Sequence, residues 1–410
     1  MKVYIFIFSH YIKFSLSSNS GLMLIGITGA PSKGKSTFFS AVSMVDVPIS
    51  PRPFTTIEPN KGVTTVTVDC PDKQLGIKCN PKYSICKDGK RQVPINIIDL
   101  AGLVPGAHQG KGLGNKFLDS VRNADALIQI VDVSGKTDLE GNFTEFNDPA
   151  SEIEFLTQEI GFWIEGIIKR SWSKIQNRNL DAIVSTLTGL NISKKDIEEI
   201  IQDLGLSSER ILWNESEIHD FAFAIKDKCF PIVIAANKID YPGAKENLKK
   251  LKEKFPDKPI FGTYADGELA LRKAAKAGII EYHPGDKDFK IVKDVNDKQK
   301  EALEKIRKVM KENNGTGVQQ VLDYAVFNLL NLIVVYPVSD EHKFTDNFGN
   351  VLPDAILIKK GTTAIQLAEK IHTDLAKNFL YGIDAKKKIR ISKDHILNNG
   401  DIVKIVSASK

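Results

Sequence analysis

The sequence predicts an α/β fold, a mostly parallel sheet covered by helices, with an all-helical insertion and a separate α+β module after it. Three observations carry this. Short apolar runs at Met23 to Ile27, Val63 to Val68, Pro94 to Ile98 and Ala126 to Val131 alternate with helical or turn segments, as buried parallel strands do. The first run feeds a glycine-rich turn and then a helix-like stretch, Thr37 to Met44. The next buried strand, Phe230 to Ala236, comes only about a hundred residues after the fourth, too far for one crossover, so a further domain is inserted there.

With 410 residues, 42% of them hydrophobic, the chain is long enough for two to three domains with proper cores and is not disordered. A net charge of +5 permits a nucleic-acid partner without arguing for one. The four cysteines have spacings unlike any disulfide scaffold, so a reducing cytoplasm is the expected compartment. Cys70, Cys79 and Cys86 raise the question of zinc, but there is no C-x-x-C pair and no obvious fourth ligand nearby, and a zinc site is not expected. No run approaches the length needed to cross a membrane. Residues 1–20 read as a dispensable extension that fits a signal peptide poorly, and Met23 is a second candidate start.

Taking the elements in order, the turn after the first strand is Gly29-Ala30-Pro31-Ser32-Lys33-Gly34-Lys35-Ser36. Two glycines five apart followed by Lys and Ser let successive N–H groups face a diphosphate at a helix N-terminus. The phosphate contacts are therefore expected from Gly29, Ala30, Pro31, Ser32, Lys33, Gly34, Lys35, Ser36 and Thr37. Lys35 would reach the β and γ oxygens, and the Ser36 hydroxyl would sit on Mg²⁺. In the Pro-rich segment that follows, Thr56, with Thr55 close behind, is the candidate to complete the Mg²⁺ shell. Asp99-Leu100-Ala101-Gly102 ends the third strand, where Asp99 can hold Mg²⁺ through water and the Gly102 N–H can meet a γ-phosphate.

The insertion opens at Asp148-Pro149, and Ile153, Leu156, Ile160, Ile164 and Ile167 recur at helical spacing, so residues 148–228 read as all-helical with an antiparallel pair. Asn237-Lys238-Ile239-Asp240 follows the resumed strand. A carboxylate at Asp240 can accept the ring N–H and amino protons of guanine, which adenine cannot offer, so the nucleotide is expected to be GTP or GDP. Lys238 would pack its stem on the base, and Asn237 would tie this loop to the phosphate loop. Thr263-Tyr264-Ala265 would supply a backbone N–H to the guanine oxygen. The tail reads as strands at Ile333 to Val338, Ala355 to Ile358, Lys388 to Ile391 and Asp401 to Val406 with a helix from Thr363 to Leu375.

With these motifs in hand, the sequence resembles a GTPase of the Obg-related class, specifically the YchF (Obg-like ATPase) subfamily in its archaeal form. The residues carrying the match are Pro53 to Asn60, Asp99 to Val104 with the Gly-rich Gly106 to Gly114, and Glu281-Tyr282-His283-Pro284-Gly285-Asp286. In the tail, Gly361 to Ala368 and Leu397 to Val403 resemble the TGS pattern. The resemblance implies a P-loop G domain, a coiled-coil-like helical insertion and a C-terminal TGS domain of β-grasp type. The expected division is an extension at 1–20, the G domain at 21–147 and 229–285, the insertion at 148–228, a helical connector at 286–331 and the TGS domain at 332–410.

Two positions depart from the family. Many relatives outside the archaeal branch carry a Glu-containing guanine motif and prefer ATP, whereas Asp240 points to GTP. Ser32 stands where relatives commonly place an Asn associated with potassium, so potassium activation is not expected. Leu103 follows Gly102 where many switch GTPases carry a water-orienting Gln, and a leucine cannot polarise water; hydrolysis is expected to be slow, with His108 a candidate to position water. Ribosome association, implied by the family, gives a possible use to Lys169, Arg170, Lys174 and Arg178 in the insertion and to Lys386, Lys387, Lys388, Arg390 and Lys393 in the tail, although solvated faces are the usual fate of such charges. A monomer is expected. A phosphotransferase is disfavoured by Asp240 and by the lack of a recognisable acceptor site, while an RNA- or protein-binding adaptor in which nucleotide only stabilises the fold, or ATP hydrolysis in place of GTP, stands as the alternative.

Overall fold

The structure, a computed structural model, describes residues 23–44, 60–102, 106–107 and 120–408. In chain order the strands are β1 (Leu24–Thr28), β2 (Asn60–Asp69), β3 (Ile85–Lys87), β4 (Lys90–Asp99), β5 (Ala126–Asp132), β6 (Ile232–Asn237), β7 (Ile260–Thr263), β8 (Ile280–Glu281), β9 (Lys290–Ile291), β10 (Leu332–Val338), β11 (Ile356–Lys359), β12 (Phe379–Asp384), β13 (Ile389–Ile391) and β14 (Ile402–Ser407). The helices are α1 (Lys35–Ser43), α2 (Asp72–Leu75), α3 (Ala150–Arg170), α4 (Trp172–Ile175), α5 (Leu180–Leu187), α6 (Lys194–Asp203), α7 (Glu215–Cys229), α8 (Ala244–Lys254), α9 (Ala265–Lys276), α10 (Asp297–Asn313), α11 (Val318–Tyr324), α12 (Ala364–Ile371) and α13 (Thr373–Lys377). They build two compact units, one of Leu24–Gly62 and Ile97–Val321, the other containing Val63–Asn96 and Leu322–Lys410. Among the described residues no helix is long and apolar enough to cross a membrane.

In the first unit the sheet runs from the last residues of β4 through β1, β5 and β6 to β7. The pairs β1–β5, β5–β6 and β6–β7 are parallel, with Ile25 opposite Ala126, Leu127 opposite Ile232 and Ile234 opposite Ile260. β5 is buried along its whole length, which explains its nearly unbroken apolar sequence. Its one amide, Gln129, is satisfied by the Glu152 carbonyl oxygen at 2.7 Å. The strand ends therefore gather on one side, where ligands of open parallel sheets bind.

The insertion is helical from α3 to α7. Leu156, Ile160, Ile164 and Ile168 form one buried stripe of α3 and pack with Phe221, Ala222 and Ile225 of α7, while Ile153 at the start of the helix joins the core with Val131, Val133 and Ile234. Gly161 abuts Phe223, and His219 Nδ1 lies 2.9 Å from Glu165 Oε2, so rising numbers on α3 meet falling numbers on α7 and the pair is antiparallel. A Cβ at Gly161 would lie 2.5 Å from the Phe223 ring, so this helix accepts a glycine for close approach. Asn214 and Glu217 form a capping box that starts α7, and Ser193 caps α6.

In the second unit five strands run in the order β11-β10-β14-β12-β13, with β10 and β14 parallel at the centre. Helix α12 covers one face through Ala364 and Leu367, against Ile333, Val335, Ile358, Ile391 and Val403. This is a β-grasp arrangement. The helix expected from Thr363 to Leu375 is broken in two at His372, which is extended at φ −164°, ψ 136°. β12 escapes the sequence pattern because Gly382 interrupts it; a Cβ there would lie 2.8 Å from Ile391 Cγ1 on the neighbouring strand. Residues 63–96 group with this module: β3 pairs antiparallel with β4, and Asn80 and Lys82 donate backbone hydrogen bonds to the carbonyls of Val351 and Pro353 at 3.1 and 2.9 Å. The buried Arg91 guanidinium donates to the Leu352 carbonyl and the Ser84 hydroxyl, both at 2.8 Å.

Candidate nucleotide-binding site

The glycine-rich loop joins β1 to α1, and two of its glycines are required by geometry. Gly29 adopts φ +142° and passes so close to β5 that a Cβ would lie 2.4 Å from the Ile130 carbonyl oxygen. Gly34 adopts φ +93°, and a Cβ would lie 2.4 Å from Asn237 Nδ2. Ser32 between them is left-handed at φ +61°. Ala30 and Pro31 are buried, while Ser36 and Thr37 remain half-buried at the start of α1.

Lys35 is buried in the first turn of α1, with its Nζ donating to the Ala30 carbonyl at 2.9 Å. Burial lowers its ammonium to about 8, with the Asp99 carboxylate pulling the other way and Lys33 adding to the fall. Asp99 is fully buried at the end of β4. A Cβ on Gly102 would stand 3.4 Å from Lys35 Nζ, so the Asp-x-x-Gly stretch and the phosphate-loop lysine come together as expected. Asp99 and Ser36 offer the hard oxygen atoms that Mg²⁺ prefers, and the nearby ammonium suits a polyphosphate.

Asn237 ends β6 and bridges three segments. Its Nδ2 donates to the Lys33 carbonyl at 3.0 Å, while its Oδ1 accepts from the Ala265 N–H at 3.1 Å and the Thr263 hydroxyl at 3.4 Å. Lys238, left-handed at φ +65°, donates to the Ser32 carbonyl at 3.1 Å and to Asp132 at 2.7 Å. Asp240 is half-buried, and burial raises its carboxyl above the ordinary range. Two of the expected backbone donors are used within the protein. The Tyr264 N–H donates to the Thr316 carbonyl at 2.8 Å, and the Ala265 N–H to Asn237, because Thr316 and Asn237 are packed against the start of α9.

Lys33 is expected among the phosphate-loop contacts, and the structure gives its side chain a further, internal use. Its side chain is fully buried. It donates to the Thr137 hydroxyl at 2.8 Å and to the carbonyls of Thr137 and Asp138 at 2.9 and 2.8 Å, and it pairs with buried Glu152 at 2.9 Å. Any contact Lys33 makes with phosphate is thus a backbone contact. Burial pushes the Glu152 carboxyl up to about 7 against the pull of the Lys33 ammonium. Asp132, linked to Ser134, Thr137 and Lys238, is held below the usual carboxylate range by Lys238 and these hydroxyls, which outweigh burial. The one available signal was a second lysine in a motif that needs only one. Thr55, Thr56, Leu103 and His108 lie outside the described residues.

A base-reading loop tied by its asparagine to a phosphate-holding loop, at the strand ends of a parallel sheet, defines a nucleotide-binding G domain. Family models agree along the chain: "50S ribosome-binding GTPase" matches residues 24–158, "Obg-like GTPase YGR210-like, G4 motif-containing domain" matches 235–340, and "TGS domain" matches 348–407. An uncharacterised GTP-binding protein of Methanocaldococcus jannaschii is 48% identical over 397 residues, covering 95% of this chain and all of that protein. The ribosome-binding ATPase YchF of Buchnera aphidicola is 25% identical over 87% of this chain and 86% of its own length. The crystal structure of a GTP-binding protein from Pyrococcus horikoshii superposes with a TM-score of 0.76 at 39% identity, covering 94% of this chain and all of that one. The chain belongs to the YchF/Obg-like family of GTP-binding proteins.

The buried Lys33–Glu152 pair yields a stability prediction. Lys33→Met or Glu152→Leu alone should cost about 3–5 kcal/mol in denaturant unfolding, because Glu152→Leu leaves a buried ammonium without its carboxylate and Lys33→Met leaves the buried oxygens of Thr137, Asp138 and Glu152 without their donor. The double variant should cost clearly less than the sum; simple additivity would show that the pair is not coupled.

Proposed function

We propose that this protein is a GTP-controlled switch with slow, Mg²⁺-dependent hydrolysis, acting on ribosomes or their assembly in the cytoplasm. The observation that carries the reading is the Asn237 side chain, which bonds the phosphate loop on one side and the start of α9 on the other. Asp240 follows three residues later in the same loop, and a carboxylate there would discriminate guanine from adenine by accepting two of its protons.

In this reading Gly29, Ala30, Pro31, Ser32, Lys33, Gly34 and Thr37 line the phosphates chiefly through the backbone. Lys35 supplies the fixed cation, still mostly charged at neutral pH. Ser36, Thr56 and Asp99 hold Mg²⁺, which when bound neutralises charge on the phosphate oxygens. The Gly102 N–H meets the γ-phosphate, and Asn237, Lys238, Asp240 and the Thr263-Tyr264-Ala265 segment form the base pocket. Leu103 offers no hydrogen bond to water, so the intrinsic reaction is slow and His108 positions the nucleophile.

Relatives named ribosome-binding ATPases support a ribosomal partner. On this chain Lys169, Arg170, Lys174 and Arg178 are exposed on the insertion, and Lys386, Lys387, Lys388, Arg390 and Lys393 on the C-terminal module. Lys169 is paired with Glu165 and Lys387 with Asp384, while Arg390 stacks on Tyr381 at 4.3 Å. That leaves Arg170, Lys174, Arg178, Lys386, Lys388 and Lys393 as the better candidates for RNA phosphates.

Nucleotide-competition binding with GTP, ATP and GDP, with and without ribosomes, tests the central claim. GTP should bind far more tightly than ATP, and Asp240→Ala should weaken GTP by about a hundredfold or more while leaving ATP nearly unchanged. Equal affinities in the parent protein would reject GTP selectivity. Because Asp240 must be ionised to accept both guanine protons, and its folded pKa is raised, GTP affinity should fall as pH drops through that raised value, with no matching fall for ATP.

Lys35→Ala and Ser36→Ala should abolish turnover, and His108→Ala should slow it by about a hundredfold. A His108→Ala protein hydrolysing GTP at the parent rate removes that residue from the mechanism. For the ribosomal partner, affinity for ribosomal RNA should fall steeply with salt, and losing Lys388 or Arg170 should each reduce the log–log salt slope by about one. A flat salt response counts against RNA contact and favours a protein partner.

A further inference from the structure

Among the described residues one group of soft and hard metal-binding atoms converges outside the nucleotide site: the thiols of Cys70, Cys79 and Cys86 and the carboxylate of Asp72, all four donor atoms within 4.8 Å of one another. Their spacing is informative. Cys70 Sγ and Cys79 Sγ are 3.9 Å apart, and Asp72 Oδ2 lies 3.1 Å from Cys79 Sγ and 3.6 Å from Cys86 Sγ. Around a tetrahedral zinc, with sulfur at about 2.3 Å and oxygen at about 2.0 Å, ligand atoms stand roughly 3.5–3.8 Å apart. We propose that Cys70, Asp72, Cys79 and Cys86 form a closed, structural zinc site.

Sequence spacing hides this site because the fourth ligand is neither Cys nor His. Asp72 follows Cys70 by two positions at the start of the short α2, and β3 and the turn before it bring Cys86 and Cys79 back to it. The carboxylate is already oriented for the task. Its Oδ1 accepts the Lys73 N–H at 2.8 Å, which leaves Oδ2 aimed at the sulfurs, the kind of supporting bond that fixes a ligating carboxylate. Cys70 is held by its own N–H, which donates to the Gly89 carbonyl at 2.8 Å.

Two other readings explain less. A disulfide would need the sulfurs near 2.0 Å, would consume two of the three thiols, and would leave the Asp72 carboxylate buried against sulfur. A set of plain packed cysteines does not account for a carboxylate, 8% exposed, aimed at two of them. Three thiolates and a carboxylate carry four negative charges; a divalent cation cancels two, and the Arg91 guanidinium, with Nη2 3.8 Å from Cys70 Sγ, offsets a third. Binding would release the three thiol protons to solvent. Thiolate sulfur selects zinc over Mg²⁺ or Ca²⁺, and four protein ligands leave no open position for catalysis. The metal would pin the 70–86 loop, which also carries the Asn80 and Lys82 backbone bonds to Val351 and Pro353.

The test uses the full chain, purified under reducing conditions. Elemental analysis should find close to one zinc per chain, and the chelator-stripped protein titrated with Co²⁺ should develop the visible absorption of a tetrahedral thiolate complex. Cys86→Ser should weaken Zn²⁺ binding by about a hundredfold or more, and Asp72→Asn, which keeps the side-chain shape, by about 10- to 100-fold. Cys229→Ser, outside the cluster, should change neither readout. Since a ligand variant can misfold, the parent chain decides: no retained zinc and no cobalt spectrum overturns the proposal. So does a Cys70–Cys79 disulfide found by mass spectrometry in protein handled anaerobically.

Discussion

The buried ammonium of Lys33 is the constraint on which the nucleotide site depends. A lysine with no solvent exposure loses its hydration and persists as a cation only where carbonyl, hydroxyl and carboxylate oxygens surround it. Here those oxygens come from Thr137, Asp138 and Glu152, none of them local in sequence. The phosphate loop, the segment after β5 and the first turn of α3 must therefore reach their final places together. The helical insertion begins at that turn, so its root is fixed to the same ion pair that fixes the loop.

From this anchor the coupling runs through hydrogen bonds of ordinary length. Glu152 accepts the Asp132 N–H, Asp132 pairs with Lys238, and Lys238 returns to the Ser32 carbonyl, while Asn237 closes a second path to the Lys33 carbonyl. Phosphate loop and base loop are thus two parts of one polar network. A behind-the-site set, Glu268 with Tyr282, Arg272 and Thr316, holds α9 in turn, and Arg272 reaches the Val42 carbonyl at the end of α1. This gives Tyr282, in the stretch Glu281 to Asp286, a physical role as a buried hydrogen-bond donor rather than a ligand contact.

What could be read from the chain was what is encoded locally. Gly29 and Gly34 were legible because the loop needs glycine at those positions, and β5 because a strand buried on both faces leaves an apolar run. The antiparallel pair of the insertion was legible from the spacing of Ile153 to Ile167. Partners distant in sequence were not legible: nothing around Lys33 names Glu152, and nothing around Arg91 names Leu352 or the Tyr336 ring beneath its guanidinium. Asp72 was hidden for a different reason, since a carboxylate among cysteines matches no common ligand spacing. β12 was hidden by Gly382, which is present for close packing against β13 and breaks the alternation that would have revealed the strand.

The internal use of the Tyr264 and Ala265 N–H groups bears on where the proposed guanine selectivity would reside. In the expected arrangement the guanine oxygen and the guanine N–H groups are recognised by separate parts of the pocket, so the loss of either leaves some discrimination. With the Ala265 N–H committed to Asn237 Oδ1 and the Tyr264 N–H to Thr316, the proposed guanine reading would rest mainly on the Asp240 carboxylate. If base choice rests on one side chain, as proposed, nucleotide preference could change through substitutions in a single loop while the phosphate loop, anchored by buried Lys33, stays as it is. That is consistent with relatives named both as GTP-binding proteins and as ATPases.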